Sequence, residues 1–296
     1  MNLNLHGIIP PIPTPFVDGK VAHDKLTANV RKLCTTGVRG LLVLGSNGEY
    51  VYLSEAEKRQ VVETTVAAAG AGIVVLVGSG CESTAETIRL TRDCADLGVH
   101  AALVVTPSYY GDKITPAALE AHFTAVADAS PIPVLLYDVT KFTHISLSLD
   151  TVLRLAAHPN IVGIKDSSGN VAQLGELIAA AGAEFNVLVG TAGALYSALT
   201  LGCAGAIVAL ANVAPQQCVR VFELVQAGQL AEARRLHLQL LPVNRAVTAR
   251  YGIAGLKAAL DMLGYFGGEP RRPLLPLTND EQETLRSILQ AAQLLS

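Results

Sequence analysis

Asn160-Ile161-Val162-Gly163-Ile164-Lys165-Asp166-Ser167-Ser168-Gly169 is a short apolar run that ends in a lysine and then breaks into serine and glycine. Side chains alternate along a strand, so this reading puts Ile161, Gly163 and Lys165 on one face and Val162 and Ile164 on the other. With both faces covered, Lys165 projects into a crowded, poorly solvated interior. Burial disfavours an ammonium and favours the neutral amine, the nucleophilic form. The other apolar runs share the same order of strand, polar turn and helix, but none of them ends in a lysine.

Outward from that strand the unit repeats. A proline-rich strand is expected over 8–16, with Asp18-Gly19 as its turn. Further apolar runs lie at 40–45, 73–78, 101–106, 133–137, 185–189 and 204–209. Between them lie stretches of helical period at 23–36, 54–69, 84–97, 116–129, 147–157, 171–181 and 194–201. Ser54, with acidic residues just behind it, suits a helix start. The strands are continuously apolar, as expected of a parallel sheet buried on both faces. Beyond Pro215 only helical patterns recur, at 217–227, 230–241, 254–263 and 280–294. Eight such units predict an α/β fold, a closed (β/α)8 TIM barrel with a C-terminal helical extension. Residues 1–214 form the barrel core, and 215–296 supply the last barrel helix and the extension. An open doubly wound sheet calls for a glycine fingerprint after an early strand, and Gly45-Ser-Asn-Gly48 is not GxGxxG.

Composition excludes several function classes. Half the residues are hydrophobic and 16% are charged, which is ample for a large core and too ordered for a disordered chain. Net charge is −3 and no basic run stands out, which argues against nucleic acid as partner. Glycine, proline or charge interrupts every apolar run before it could span a bilayer, so no membrane partner is expected. The opening Met-Asn-Leu-Asn-Leu-His lacks a basic n-region and does not read as a signal peptide. The five cysteines lack CxxC spacing and read as free thiols in a reducing, cytoplasmic setting.

In a barrel the active site is built from the loops at the C-terminal ends of the strands. Those exits carry Ser46 and Asn47, Tyr109 and Tyr110, Tyr137, Lys165, the Gly190-Thr191 pair, and Ile207. They hold no cluster of His, Cys and carboxylate, so no metal is expected. An amine, phenols and hydroxyls together suit imine chemistry on a 2-oxo acid, with a phenol moving protons and the protonated imine accepting electrons. Each residue also has a plainer reading. A lysine at a strand end often reaches solvent, Tyr137 could be a core tyrosine, and Ser46-Asn47 could be only a turn. One of Tyr109 and Tyr110 should serve packing. Asp166 points away from Lys165 and reads as structural, and His144 as incidental.

With these residues in view, the chain resembles the dihydrodipicolinate synthase / N-acetylneuraminate lyase family of pyruvate-handling class I aldolases. GSNGE (45–49), GSGCEST (78–84), VVTPSYY (104–110), LLYDV (135–139), GIKDSSG (163–169) and the Gly190-Thr-Ala-Gly193 turn carry the resemblance from Gly7 to about Pro273. It implies that Lys165 forms the Schiff base, with no separate cofactor, and that Tyr137 shuttles protons beside it. It also implies that Ser46 and Asn47 bind the pyruvoyl carboxylate, with Ser46 assisting the relay, and that Ser167, Gly190 and Ile207 line the pocket. Tyr109 matches a tyrosine that members reach across a dimer interface, which implies a homodimer or homotetramer.

Within the family, GSNGE and VTARYGIAGLKAALDMLGYFGG (247–268) look most like 4-hydroxy-2-oxoglutarate aldolase, which yields pyruvate and glyoxylate. The synthase branch normally has an arginine five residues after the tyrosine; here that position is Phe142, which cannot fork onto a carboxylate. Thr140 and His144 stand where the family has proline and glycine, so Lys141 or His144 is the candidate for the distal end of the substrate. The runners-up are dihydrodipicolinate synthase and a 2-keto-3-deoxy sugar acid aldolase. A catalytically silent 2-oxo acid binding protein is the alternative from another class.

Overall fold

The computed structural model describes residues 3–295. Eight parallel strands form its sheet: β1 (Gly7–Ile9), β2 (Gly40–Val43), β3 (Val74–Gly78), β4 (Ala101–Val105), β5 (Val134–Asp138), β6 (Ile161–Asp166), β7 (Asn186–Val189) and β8 (Gly205–Ile207). From β2 onward each strand pairs with the next, and β8 returns to β1. The ring closes where Pro11 bridges Leu42: Ile12 N donates to Leu42 O at 2.9 Å, and Leu42 N to Pro10 O at 3.0 Å. Helices α1 (His23–Cys34), α2 (Glu55–Ala69), α3 (Thr84–Ala95), α4 (Pro116–Ala129), α5 (Leu149–Ala156), α6 (Val171–Ala180), α7 (Leu195–Leu201) and α8 (Pro215–Gln226) alternate with the strands. The expected (β/α)8 barrel is therefore the fold.

Two apolar clusters arise from the alternation of side chains. Val43, Val77, Val104, Leu136 and Ile164 face outward and pack with helix residues such as Leu26 and Phe123. Leu42, Leu76, Leu103, Leu135 and Leu188 face inward and fill the barrel. Several helix starts match the sequence closely because each has a side-chain cap. Ser54 and Glu57 form a reciprocal capping box on α2, and Ser83, Thr115, Ser148 and Asn170 cap α3 to α6.

Three expectations are corrected. The strand expected over 8–16 is only Gly7–Ile9, with irregular chain after it and then a two-residue hairpin pairing Phe16–Val17 with Lys20–Val21. Prolines at 10, 11, 13 and 15 lack the donors a ladder needs. The face assignment of Ile161 and Val162 is reversed. A register shift pairs Val134 with Ile161 but Leu135 with Gly163, so Val162 is extra. Ile161 joins the outer cluster and Val162 packs on the inner one, while Gly163 and Lys165 keep the inward face. The helix expected to stop near 241 runs through Pro242 as α9 (Leu230–Arg245). Pro242 is not buried, so water can take the carbonyl its ring leaves unpaired. A π turn over Ala246–Arg250 then leads into α10 (Gly252–Met262), and α11 (Asn279–Ala291) ends the extension. Among the described residues no helix is long and apolar enough to cross a membrane.

Candidate active site

Strands β5 and β6 lie side by side with Tyr137 opposite Lys165 and Leu135 opposite Gly163. The two functional side chains therefore stand on the inward face, one step above the leucine layer. Lys165 is 4% exposed, and its Nζ sits 4.1 Å from the centroid of the Tyr137 ring. Both open into a cavity of about 560 Å³ at the C-terminal ends of the strands. That volume suits a small-molecule site.

The turn after β2 is tightly built. Ser46–Gly48 is a 3-10 turn between Leu44 at φ 56° and Glu49 at φ 56°. Non-glycine residues in the left-handed region cost about 1–3 kcal/mol each and gather where function demands them. Thr14 Oγ1 donates to Gly48 O at 2.7 Å and fixes the turn to the chain after β1. The turn delivers Ser46 and Asn47 to the cavity. Tyr50 lies just behind it, and burial pushes its phenol up to about 12, with Cys81, Tyr137 and Glu82 adding to the rise.

The neighbours of Lys165 are equally constrained. Asp166 accepts from Ser168 N at 2.7 Å, and burial raises its carboxyl above the usual range. It shapes the turn after β6, the structural role expected of it. Ser167 N donates to Asp138 O at 2.9 Å, and Ser167 lines the cavity with its Oγ buried against Gly190. A Cβ on Gly190 would collide with Ser167 Oγ, so only glycine leaves room for that hydroxyl. Gly190 and Ile207 complete this wall. Asp138 organises the loop after β5, accepting from Thr140 Oγ1 at 3.0 Å, Ser146 Oγ at 3.0 Å and Leu147 N at 2.8 Å.

The barrel alone does not close the site. Asn244, Val247, Thr248 and Tyr251, from the end of α9 and the π turn, make the facing wall, with Leu274 and Leu275. In the sequence this segment reads only as part of a helical extension, and none of these residues stands out as a site residue. The one signal is the 247–268 stretch, which bears on resemblance rather than on position. Lys141 and Phe142 also line the cavity, whereas His144 is exposed at φ 57° and does not. Tyr109 is 80% exposed and lies outside the chain's own cavity, edge-on to Tyr110 with centroids 5.3 Å apart. Glu82 holds that loop by accepting from Ser108 N at 2.8 Å and Tyr109 N at 2.9 Å. Among the described residues no group of three or more His, Cys, Asp or Glu could hold a metal ion.

The model of the dihydrodipicolinate synthetase family matches residues 4–292. The chain belongs to that family. As a family member it is an enzyme, a lyase of the class I aldolase type. A 4-hydroxy-tetrahydrodipicolinate synthase of Methanothrix thermoacetophila is 38% identical over 285 residues, 96% of this chain and 95% of that protein. "Probable 4-hydroxy-2-oxoglutarate aldolase, mitochondrial" of Emericella nidulans is also 38% identical, over 86% of this chain and 84% of that one. Among solved structures, the dihydrodipicolinate synthase of Acinetobacter baumannii, complexed with pyruvate, superposes with a TM-score of 0.94 at 34% identity. That match covers 98% of this chain and 100% of the other. Family membership thus agrees with the resemblance read from the motifs, and the names of the relatives divide over the substrate.

Proposed function

We propose that this family member cleaves a 4-hydroxy-2-oxo acid, 4-hydroxy-2-oxoglutarate in the first instance, to pyruvate and glyoxylate through an imine on Lys165. The observation that carries the reading is Lys165 itself, buried against the Tyr137 ring at the floor of a substrate-sized cavity. The neutral amine attacks C2 of the substrate and water leaves, giving a protonated imine. Tyr137, with Ser46 as relay, takes the proton from the C4 hydroxyl. The C3–C4 bond breaks, its electron pair moves into the imine, and glyoxylate departs. The resulting enamine takes a proton at C3, and water then hydrolyses the imine to pyruvate and free Lys165. The imine is the electron sink, so this route needs no further cofactor. Ser46 and Asn47 grip the pyruvoyl carboxylate, with Ser167, Gly190 and Ile207 around it.

The choice of substrate rests on Phe142 and Lys141. Phe142 lines the cavity where the synthase branch carries its arginine, and no arginine is among the lining residues. The second reading, condensation of pyruvate with aspartate semialdehyde, has in its favour the names of several relatives. Pyruvate release from 4-hydroxy-2-oxoglutarate, 2-keto-3-deoxygluconate and N-acetylneuraminate, beside condensation with the semialdehyde, separates the readings. Turnover of the semialdehyde alone would replace the first reading by the second. A protein that binds pyruvate and turns over none of them would be a binding module.

Three substitutions sharpen the assignment. Lys141→Ala should raise KM for 4-hydroxy-2-oxoglutarate about three- to tenfold by removing a cation from the cavity, while His144→Ala should leave it unchanged. Equal KM values for Lys141→Ala and wild type would remove Lys141 from the site. Gly190→Ala should lower kcat/KM about ten- to a hundredfold by displacing Ser167, with the fold retained by circular dichroism. A Gly190→Ala enzyme of wild-type activity would show that the Ser167 hydroxyl is not used.

The exposed Tyr109 supports a homodimer or homotetramer in which this ring enters the site of a second copy. Sedimentation at assay concentration tests that assembly. The five free thiols support a cytoplasmic location.

A further inference from the structure

Phe142 and Leu275 are large apolar side chains that line the Lys165 cavity and yet are 59% and 69% exposed. They therefore stand at its mouth, where apolar surface left in water marks a place for a ligand. The cavity measures about 560 Å³. That is the size of sites for drug-sized molecules and more than a five-carbon acid fills.

The chain that carries the Phe142 ring is fixed. Phe142 sits in the single helical turn Thr140–Thr143 that follows β5, with its N donating to Val139 O at 2.8 Å. Thr143 Oγ1 donates to Ile145 O at 3.1 Å and closes the turn. The Asp138 carboxylate ties both ends of the loop through Thr140 Oγ1, Ser146 Oγ and Leu147 N. Val139, 4% exposed, adds apolar lining from the same exit. Lys141 Nζ lies 5.5 Å from the Phe142 ring centroid, so this exit offers a cation and an aromatic ring side by side.

The order of residues along this exit decides which substrate atoms they meet. Tyr137 takes the proton of the C4 hydroxyl, which brings C4 to the end of β5. Val139, Lys141 and Phe142 follow on the same exit and line the cavity beside whatever C4 carries. The pyruvoyl end is held elsewhere, at the exits of β2, β7 and β8. We infer that the site also takes substrates whose C4 bears an aryl group, with Phe142 packing on that ring. The further activity is cleavage of a 4-aryl-4-hydroxy-2-oxo acid to pyruvate and an aromatic aldehyde. The C4 hydroxyl gives its proton to Tyr137, the C3–C4 bond breaks, and its electron pair enters the imine as the aldehyde leaves. The enamine then gains a proton at C3, and water frees pyruvate and Lys165. Lys141 is exposed, so a neutral aryl ring leaves its ammonium in water at no cost, whereas a carboxylate pairs with it. The inference rests on the imine reading given under Proposed function.

The test substrate is 4-hydroxy-2-oxo-4-phenylbutanoate, and its reference is 4-hydroxy-2-oxopentanoate, which has methyl on C4. Wild-type protein should release pyruvate and benzaldehyde from the phenyl acid. Phe142→Ala removes an exposed ring and leaves the fold intact. It should lower kcat/KM for the phenyl acid about tenfold more than for the methyl acid, because only the phenyl acid loses a ring-to-ring contact. Taking each substrate as a ratio between the two enzymes cancels the different intrinsic ease with which benzaldehyde and acetaldehyde leave. A wild type that forms the borohydride-stable adduct with pyruvate but does not cleave the phenyl acid would overturn the inference. So would an equal loss for both acids in Phe142→Ala. Wild-type protein that forms no such adduct would instead overturn the imine reading, a failure visible before any variant is made.

Discussion

Lys165→Ala is expected to abolish pyruvate release and to leave no borohydride-stable adduct with pyruvate. The side chain is the only lysine on the inward face of the strand, 4% exposed and 4.1 Å from the Tyr137 centroid. Without its amine no bond forms to C2, and the electron pair of the breaking C3–C4 bond has no sink. Tyr137, Ser46 and Asn47 remain and can still bind substrate, but the loss should be about four orders of magnitude or more in kcat. Lys165→Arg should be as inactive, because a guanidinium stays protonated and is not a nucleophile. Both variants should fold, since the residue borders a cavity and Ala leaves only a slightly larger one. The measurements are continuous pyruvate release and the intact mass after reduction with pyruvate. Turnover within about tenfold of wild type in Lys165→Ala would end the imine mechanism for this protein.

That lysine is legible without the structure because its strand breaks a compositional rule: a charge at the end of an apolar run with both faces covered. Tyr137 is legible for a related reason. Strands β5 and β6 each carry their polar residue near the exit, and parallel register brings those ends together. Ser46 and Asn47 are legible as exit-loop residues, although nothing local separates such a turn from an ordinary one. The positive φ values of Leu44 and Glu49 that single it out are properties of the folded chain. Strict alternation fails at Val162, because a bulge is set by how β5 and β6 fit rather than by either sequence alone. The facing wall is out of reach of sequence reading. Asn244, Thr248 and Tyr251 come at and after the end of a helix that runs through a proline, and helical period says nothing about which barrel end a trailing helix returns to. Tyr109 also follows a strand exit, yet its ring is exposed and lies outside the chain's own cavity, which its place in the sequence does not reveal.

The C-terminal extension also holds the barrel mouth, and breaking that hold should cost much of the stability. Lys257 and Glu49 are both 0% exposed, with Nζ 2.6 Å from Glu49 Oε1. Burial pushes the Lys257 ammonium below its ordinary value, and Glu49 pulls it back up. Lys257 Nζ also donates to Glu269 O at 3.0 Å and lies 4.3 Å from the Phe16 ring centroid. Glu49 Oε2 accepts from Arg271 N at 2.7 Å, and the Arg271 guanidinium grips Glu57 and the carbonyls of Tyr52 and Gly19. Glu49 ends the turn that presents Ser46 and Asn47, so this network ties the turn to α10 and the chain after it. Lys257→Met should strand a buried carboxylate and cost about 3–5 kcal/mol. At about 2–4 °C per kcal/mol, the melting temperature should fall by about 10 °C. Glu49→Met with Lys257→Met replaces both charges by apolar groups and should recover much of that stability. It should not recover the grip on the turn, because Arg271 N loses its acceptor along with the pair. The double variant should therefore melt near the wild type yet need about tenfold more pyruvate to half-saturate borohydride trapping. Melting of Lys257→Met within about 2 °C of wild type would show that the pair does not stabilise the fold, and wild-type pyruvate affinity in the double variant would show that it does not position the turn.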